Sequence, residues 1–262
     1  MRVASPGHAF FAVTLIGLGI LGLVKGDFTP TWTGVPGRLP AREAVAYLCA
    51  IVSLATGIGL LLPRTAASAA RILLGCFLVW LLLFRVSHIF SAPTVEATYW
   101  ACGDTAVMAA GTWALYAWLV GDRDRPPLRL AAGTSGLRIA RSLYGLALIP
   151  FGVAHFTYLR ETAVLVPGWL PWHTAWAYAT GGAFIAAGMA VLIGVLTRLA
   201  IVLSALQLGL FTLLVWVPIV VAGPSASQWA EFVDSWALTA GAWLVADSCR
   251  SLPWLSAGRH PT

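Results

Sequence analysis

The chain has 262 residues, of which 59% are hydrophobic and only 10% charged, and its formal net charge is +6. Ordinary soluble domains carry about 25% charge, so this composition excludes a water-soluble globule. The positive charge sits on arginines in short loops between apolar runs, which excludes nucleic acid as a partner and reports membrane topology instead.

Eight runs are long and apolar enough to cross a bilayer: 8–25, 43–62, 68–90, 97–120, 138–159, 173–194, 197–220 and 229–247. The first has no small-x-small cleavage site before Lys25-Gly26-Asp27, so it is expected to remain as a span. Gly22-x-x-x-Gly26 within it is a helix-packing signal. Residues 122–137 read as a linker. The short connection from Gly194 to Thr197 predicts an antiparallel pair for the sixth and seventh spans. No helix is visibly broken at mid-membrane. Cys49, Cys76, Cys102 and Cys249 show no metal-ligand spacing, and no metal is expected. Walker, G-x-S-x-G and H-E-x-x-H motifs are absent, so the sequence points to no enzyme class.

The chain repeats itself after about 131 residues. Val35-Pro36-Gly37-Arg38-Leu39-Pro40 returns as Val166-Pro167-Gly168-Trp169-Leu170-Pro171. Ala44-x-Ala46-Tyr47 returns as Ala175-x-Ala177-Tyr178. Gly57 matches Gly188 and Pro93 matches Pro224; after a one-residue slip Asp104 matches Asp234, Gly111 matches Gly241, and Trp113 matches Trp243. The expected fold is an all-α polytopic membrane protein of eight transmembrane helices. It divides into a first four-helix repeat (1–121), a linker (122–137), a second repeat (138–248) and a tail (249–262).

Eleven arginines fall on one face, against four arginines and Lys25 on the other. This places both termini in the cytoplasm and gives the two repeats the same orientation. The duplicated motif then lies outside. Its prolines and glycine predict a non-helical crossing, either a packed loop or a lid over an outer pocket. Trp32, Trp169, Trp172 and Trp176 are expected around it at headgroup level.

Ionisable groups within a membrane are functional candidates by default. Asp104 and Asp234 share a helix face with Gly111 and Gly241 respectively, and are expected to point into the bundle as structural hydrogen-bonding groups or as a ligand or proton site. Arg85, on the preceding span, is within reach of an ion pair with Asp104; the second half has Trp216 there. His88, a turn beyond, fits the interface. His155 can titrate, shuttle a proton or bond a quinone carbonyl, or be a satisfied polar residue. Tyr47 and Tyr178 can line an outer pocket or serve as belt residues.

Gly152-Val-Ala-His155-Phe, the Pro167-to-Pro171 turn, Tyr178 and the glycines Gly181, Gly182 and Gly188 together resemble the DoxX/DoxD family of four-helix bacterial membrane proteins. The resemblance covers most of 138–247 and, more faintly, 8–120. It implies an inner-membrane protein associated with quinone-linked redox systems, including thiosulfate:quinone oxidoreductase subunits. Quinone is then the implied ligand, and a membrane redox complex or other membrane subunits the implied partners. Relatives often carry a glutamate in the second helix; here Ser53 and Phe184 hold those positions, and Lys25 stands where the second half has His155. Two other functions suit the residues: a small-molecule carrier, and a structural or assembly subunit without chemistry.

Overall fold

The computed structural model describes residues 5–121 and 131–256, and among these there is no strand. Six helices are long and apolar enough to cross a membrane: α1 (Pro6–Lys25), α2 (Arg42–Leu61), α3 (Ala66–Ser91), α5 (Gly133–Thr157), α7 (His173–Ile193) and α8 (Thr197–Val221). Two more are as long but less apolar, α4 (Glu96–Val120) and α9 (Ala226–Asp247). A short helix, α6 (Leu159–Leu165), follows α5.

The helices form a single closed bundle. Round its circumference run α1, α2, α3, α4, α5, α7, α8 and α9, and α9 packs back on α1. The ring is pinched where α4 crosses α9. At that crossing Gly111 meets Gly241; a Cβ on Gly111 would stand 2.6 Å from the Gly241 carbonyl oxygen, so only glycine permits the approach. The position of α4 and α9 explains their composition. From Gly103 to Ala117 nearly every residue of α4 is buried. A helix shielded by other helices does not need the continuous apolar surface that lipid demands.

Helix ends carry local signatures. Ser5 caps α1 by accepting from the His8 N–H, with Pro6 at the first position. Ser225 and Gln228 form a reciprocal capping box on α9. Both copies of the duplicated motif make the same turn: Leu39 N–H donates to the Pro36 carbonyl at 3.0 Å, and Leu170 N–H to the Pro167 carbonyl at 2.9 Å. The residue after each final proline is left-handed, Ala41 at φ 52° and Trp172 at φ 57°, and caps the following helix. A non-glycine residue held there costs about 1–2 kcal/mol, so both copies keep the same strained entrance.

Several expectations change. α5 begins at Gly133, inside the stretch read as linker, because Trp113 Nε1 donates to the Ala131 carbonyl at 2.9 Å and ties its start to α4; residues 122–130 lie outside the described residues. The fifth span stops at Thr157, where Tyr158 leaves the helical region, and α6 turns away. Gly26 is not a packing residue but the left-handed end of α1 at φ 67°; the close seam with α2 is made by Gly19 and Gly22 against Leu54 and Ala50. The third span of each half is not regular: π-helical turns occupy Leu81–Val86 in α3 and Thr212–Trp216 in α8. Of the tail, the described residues up to 256 are packed, with Arg198 over the Trp254 ring at 4.0 Å and donating to the Leu252 carbonyl; residues 257–262 lie outside the described residues.

Candidate functional site

The two halves treat equivalent space differently. In the first, the segment after α1 turns inward through a 3-10 turn at Pro30–Trp32. Trp32 is 2% exposed, a correction to the expected headgroup placement. Its ring stacks on Phe77 at 4.7 Å and meets Trp80 edge-on at 5.1 Å, while its Nε1 donates to Ser53 Oγ at 2.8 Å. An indole needs this partner when it leaves water. Trp80 in turn donates to the Thr33 carbonyl. The first half is thus plugged by its own chain.

In the second half the position of Trp32 falls on Ala163, in α6. α6 lies along the wall, and a cavity of about 770 Å³ remains open behind it. That is within the roughly 300–1,000 Å³ of small-molecule sites. α5 supplies Phe151 and His155, α7 Thr180 and Phe184, and α8 Gln207 and Phe211. Pro167 and Leu170 of the duplicated motif form part of the rim, and the π-helical turn adds Trp216. π-helical turns are frequent at functional sites because they re-aim side chains.

His155 sits against two rings, stacked on Phe211 at 5.8 Å and edge-on to Phe184 at 5.6 Å. Its Nδ1 lies 2.7 Å from the Phe151 carbonyl. A carbonyl only accepts, so Nδ1 carries the proton and Nε2 is left as an acceptor. Gln207 donates to the Thr180 carbonyl at 3.0 Å, which leaves its amide oxygen free. Glu161, Glu231 and Asp234 also line the cavity, and none of the three has a hydrogen bond or ion pair among the described residues. No lysine or arginine among the described residues lines it.

Beside the cavity, Asp104 and Asp234 stand on the two crossing helices α4 and α9, within electrostatic range of Glu231 and Arg85. Asp104 Oδ1 is buried without a partner among the described residues. Arg85 is 5% exposed, but the ion pair with Asp104 does not form. The guanidinium is held instead by Thr105 Oγ1 at 3.0 Å and by Thr33 Oγ1 at 2.8 Å, from the plugging segment. Gly34, at φ 89°, makes room: a Cβ there would stand 2.8 Å from Arg85 Nη1. Arg85 therefore serves as a distant counter-charge to the aspartates.

The structure brings His155 and Asp234 into the cavity, with Asp104 and Arg85 next to it. Tyr47 and Tyr178 stay on the surface, and Tyr178 packs on Phe156 at 5.7 Å. Pro36, Gly37 and Pro40 do not line this cavity. Ser53 and Phe184 are buried partners of Trp32 and His155. The sequence reading missed Glu231, Glu161 and Gln207. Glu231 stands three residues before Asp234 on one helix face, a spacing that could have found it. Comparison of the chain with protein-family models, curated proteins and solved structures gives no match, so the DoxX-like resemblance rests on the quoted residues alone.

Proposed function

We propose that this is a small-molecule-binding protein of the bacterial cytoplasmic membrane, in which the second of two tandem four-helix repeats holds the ligand. The single observation that carries the reading is the cavity that α6 leaves open, lined by aromatic rings, His155 and carboxylates. The tandem arrangement draws support from helix starts: Arg42 and His173, and Ala66 and Thr197, stand about 131 residues apart, as do the two π-helical turns. The arginine distribution supports eight spans with both termini cytoplasmic, so the cavity rim would face outward. Leu203, Leu206, Leu210 and Leu214 of α8 line the cavity and are also exposed on the bundle surface. They would offer a lipophilic ligand a sideways route from the outer leaflet, as in a carrier or receptor.

A second reading keeps the redox association that the resemblance implies. His155 favours it, since its free Nε2 can accept from a quinol hydroxyl while Phe211 stacks beneath the ring. Purification in mild detergent followed by mass spectrometry of co-eluting lipophiles tests both. A bound small molecule lost in Thr162→Trp, which fills the cavity from α6, is expected. A ligand that survives this substitution sinks the cavity as its site, and a quinone lost on His155→Ala selects the redox reading.

A further inference from the structure

The chemistry of the cavity goes further than its size. Its walls carry seven Phe, Tyr and Trp rings, among them Trp100, Trp176 and Trp216. Aromatic faces carry negative potential and attract organic cations within about 6 Å of their centroids. Its ionisable lining among the described residues consists of Glu161, Glu231, Asp234, Tyr158 and His155, and the free nitrogen of His155 is an acceptor. Every carboxylate in it lacks a hydrogen-bonding partner among the described residues. The nearby charges do not balance: Asp104, Asp234 and Glu231 interact as one cluster with a single guanidinium, that of Arg85. Arg85 is already bonded to Thr33 and Thr105 and cannot swing into the cavity without breaking both bonds. An ionised carboxylate inside a membrane is expensive without a counter-charge, and a carboxyl that lacks one keeps its proton. A positively charged ligand supplies the missing counter-charge, and the aromatic walls replace the water it sheds.

Resting on the reading of the cavity as a ligand site, we propose that it takes a lipophilic organic cation. The ligand would carry a substituted ammonium, or a charge of similar delocalised kind, on an apolar body. Its apolar body would lie against Leu206, Leu210 and Phe211. Its charge would sit towards Glu231 and Asp234, at the α9 wall. An anion is rejected by the same carboxylates, and a neutral molecule gains the apolar contacts without the charge.

Charge and shape can be separated with two probes of nearly the same form, tetraphenylphosphonium and tetraphenylborate. Binding of each to the full chain in lipid nanodiscs is measured against empty nanodiscs of the same lipid. The expected result is saturable binding of the phosphonium at one per chain, with the borate at least 10-fold weaker. The double variant Glu231→Gln, Asp234→Asn is expected to lower phosphonium binding at least 10-fold, with unchanged elution and melting. Glu161→Gln, on the exposed short helix, provides a milder variant with no risk to the fold and a loss of several-fold.

Equal or tighter binding of the borate overturns the cation inference and leaves the cavity standing. So does phosphonium binding that ignores all three neutralising substitutions but is lost in Thr162→Trp. Phosphonium binding unaffected by Thr162→Trp, or no saturable binding of either probe, overturns the cavity reading itself and the cation inference with it.

Discussion

The first half of this chain fills with its own tryptophan the space that the second half leaves open. Around Trp32 stand Phe77, Trp80 and Ser53; about 131 residues later stand Leu208, Phe211 and Phe184. The surroundings stay aromatic and apolar in both. What changes is the segment after the first helix. In one half it is a loop that dips inward through the 3-10 turn at Pro30–Trp32; in the other it is α-helical and lies along the wall. One segment's conformation thus separates a self-occupied half from one with room for a guest. Arg85 sharpens the contrast, because it locks the plug through Thr33, while Trp216 at its counterpart lines the cavity.

The strongest way to break this comparison is Trp32→Ala. Removing a buried indole costs about 3–5 kcal/mol in a packed core. The variant is expected to lose that much in denaturant titration of the reconstituted protein and to gain a second probe-binding site. A loss below about 1 kcal/mol would mean that the ring is not the plug. Arg85→Leu follows, at about 3 kcal/mol, since hydrogen bonds from a charged group are lost at buried Thr105 and at Thr33 of the plugging segment. Trp216→Leu, its counterpart in the other half, should leave the melting temperature nearly unchanged and alter binding instead.

The duplicated glycines at the helix crossing offer a finer test. Gly111→Ala would force a Cβ to 2.6 Å from the Gly241 carbonyl, and overpacking of this kind costs about 1–3 kcal/mol. Gly241→Ala meets only Val107 and Met108 at 3.3–3.4 Å and is expected to cost less than Gly111→Ala. Equal melting shifts would show that the crossing is looser than described.

The smallest effect belongs to Asp27 and Arg42, an exposed pair at 2.7 Å that the second half lacks. Partial burial works to raise the Asp27 pKa, but the Phe28 N–H and Arg42 outweigh it, and the net shift is downward. A lowered carboxylate pKa stabilises the fold above the ordinary carboxylate range, and that stability is lost as pH falls through the lowered value. Asp27→Asn should therefore cost at most about 0.2–1 kcal/mol at neutral pH. Its melting curve should merge with that of the unsubstituted protein in acid; a difference that persists there would rule out the charge as its cause.

The sequence exposed the architecture more readily than the site. Apolar length located the long helices to within a few residues, apart from the start of α5, because a span's length is imposed by the bilayer and written in composition. The shared register of Asp104 and Asp234 was legible from the repeat, and each falls at the ninth residue of its helix. The π-helical turns were not legible, since Leu81–Val86 and Thr212–Trp216 are apolar runs like any other. Nor was the plug. Trp32 looked like an interfacial tryptophan because burial depends on which way a loop turns, and that is decided by Phe77, Trp80 and Arg85, some 50 residues on. The cavity needed several separate segments to close around it, and no local pattern records such a meeting.

The two least apolar long helices have a consequence for how the protein is made. α4 and α9 are each the fourth long helix of their half to leave the ribosome. On the eight-span reading, an aspartate within each opposes its transfer into lipid; at a helix centre the insertion cost is about 2.5–3.5 kcal/mol. By then three strongly apolar neighbours are already in the bilayer, and for α4 they include Arg85. α9 is thus delivered last, into a membrane that already holds α1, α4 and α8, the surfaces it will lean on, whereas α4 gains α5 and α9 only afterwards. An order of synthesis that brought α9 out first would strand Asp234 in lipid before its shelter existed.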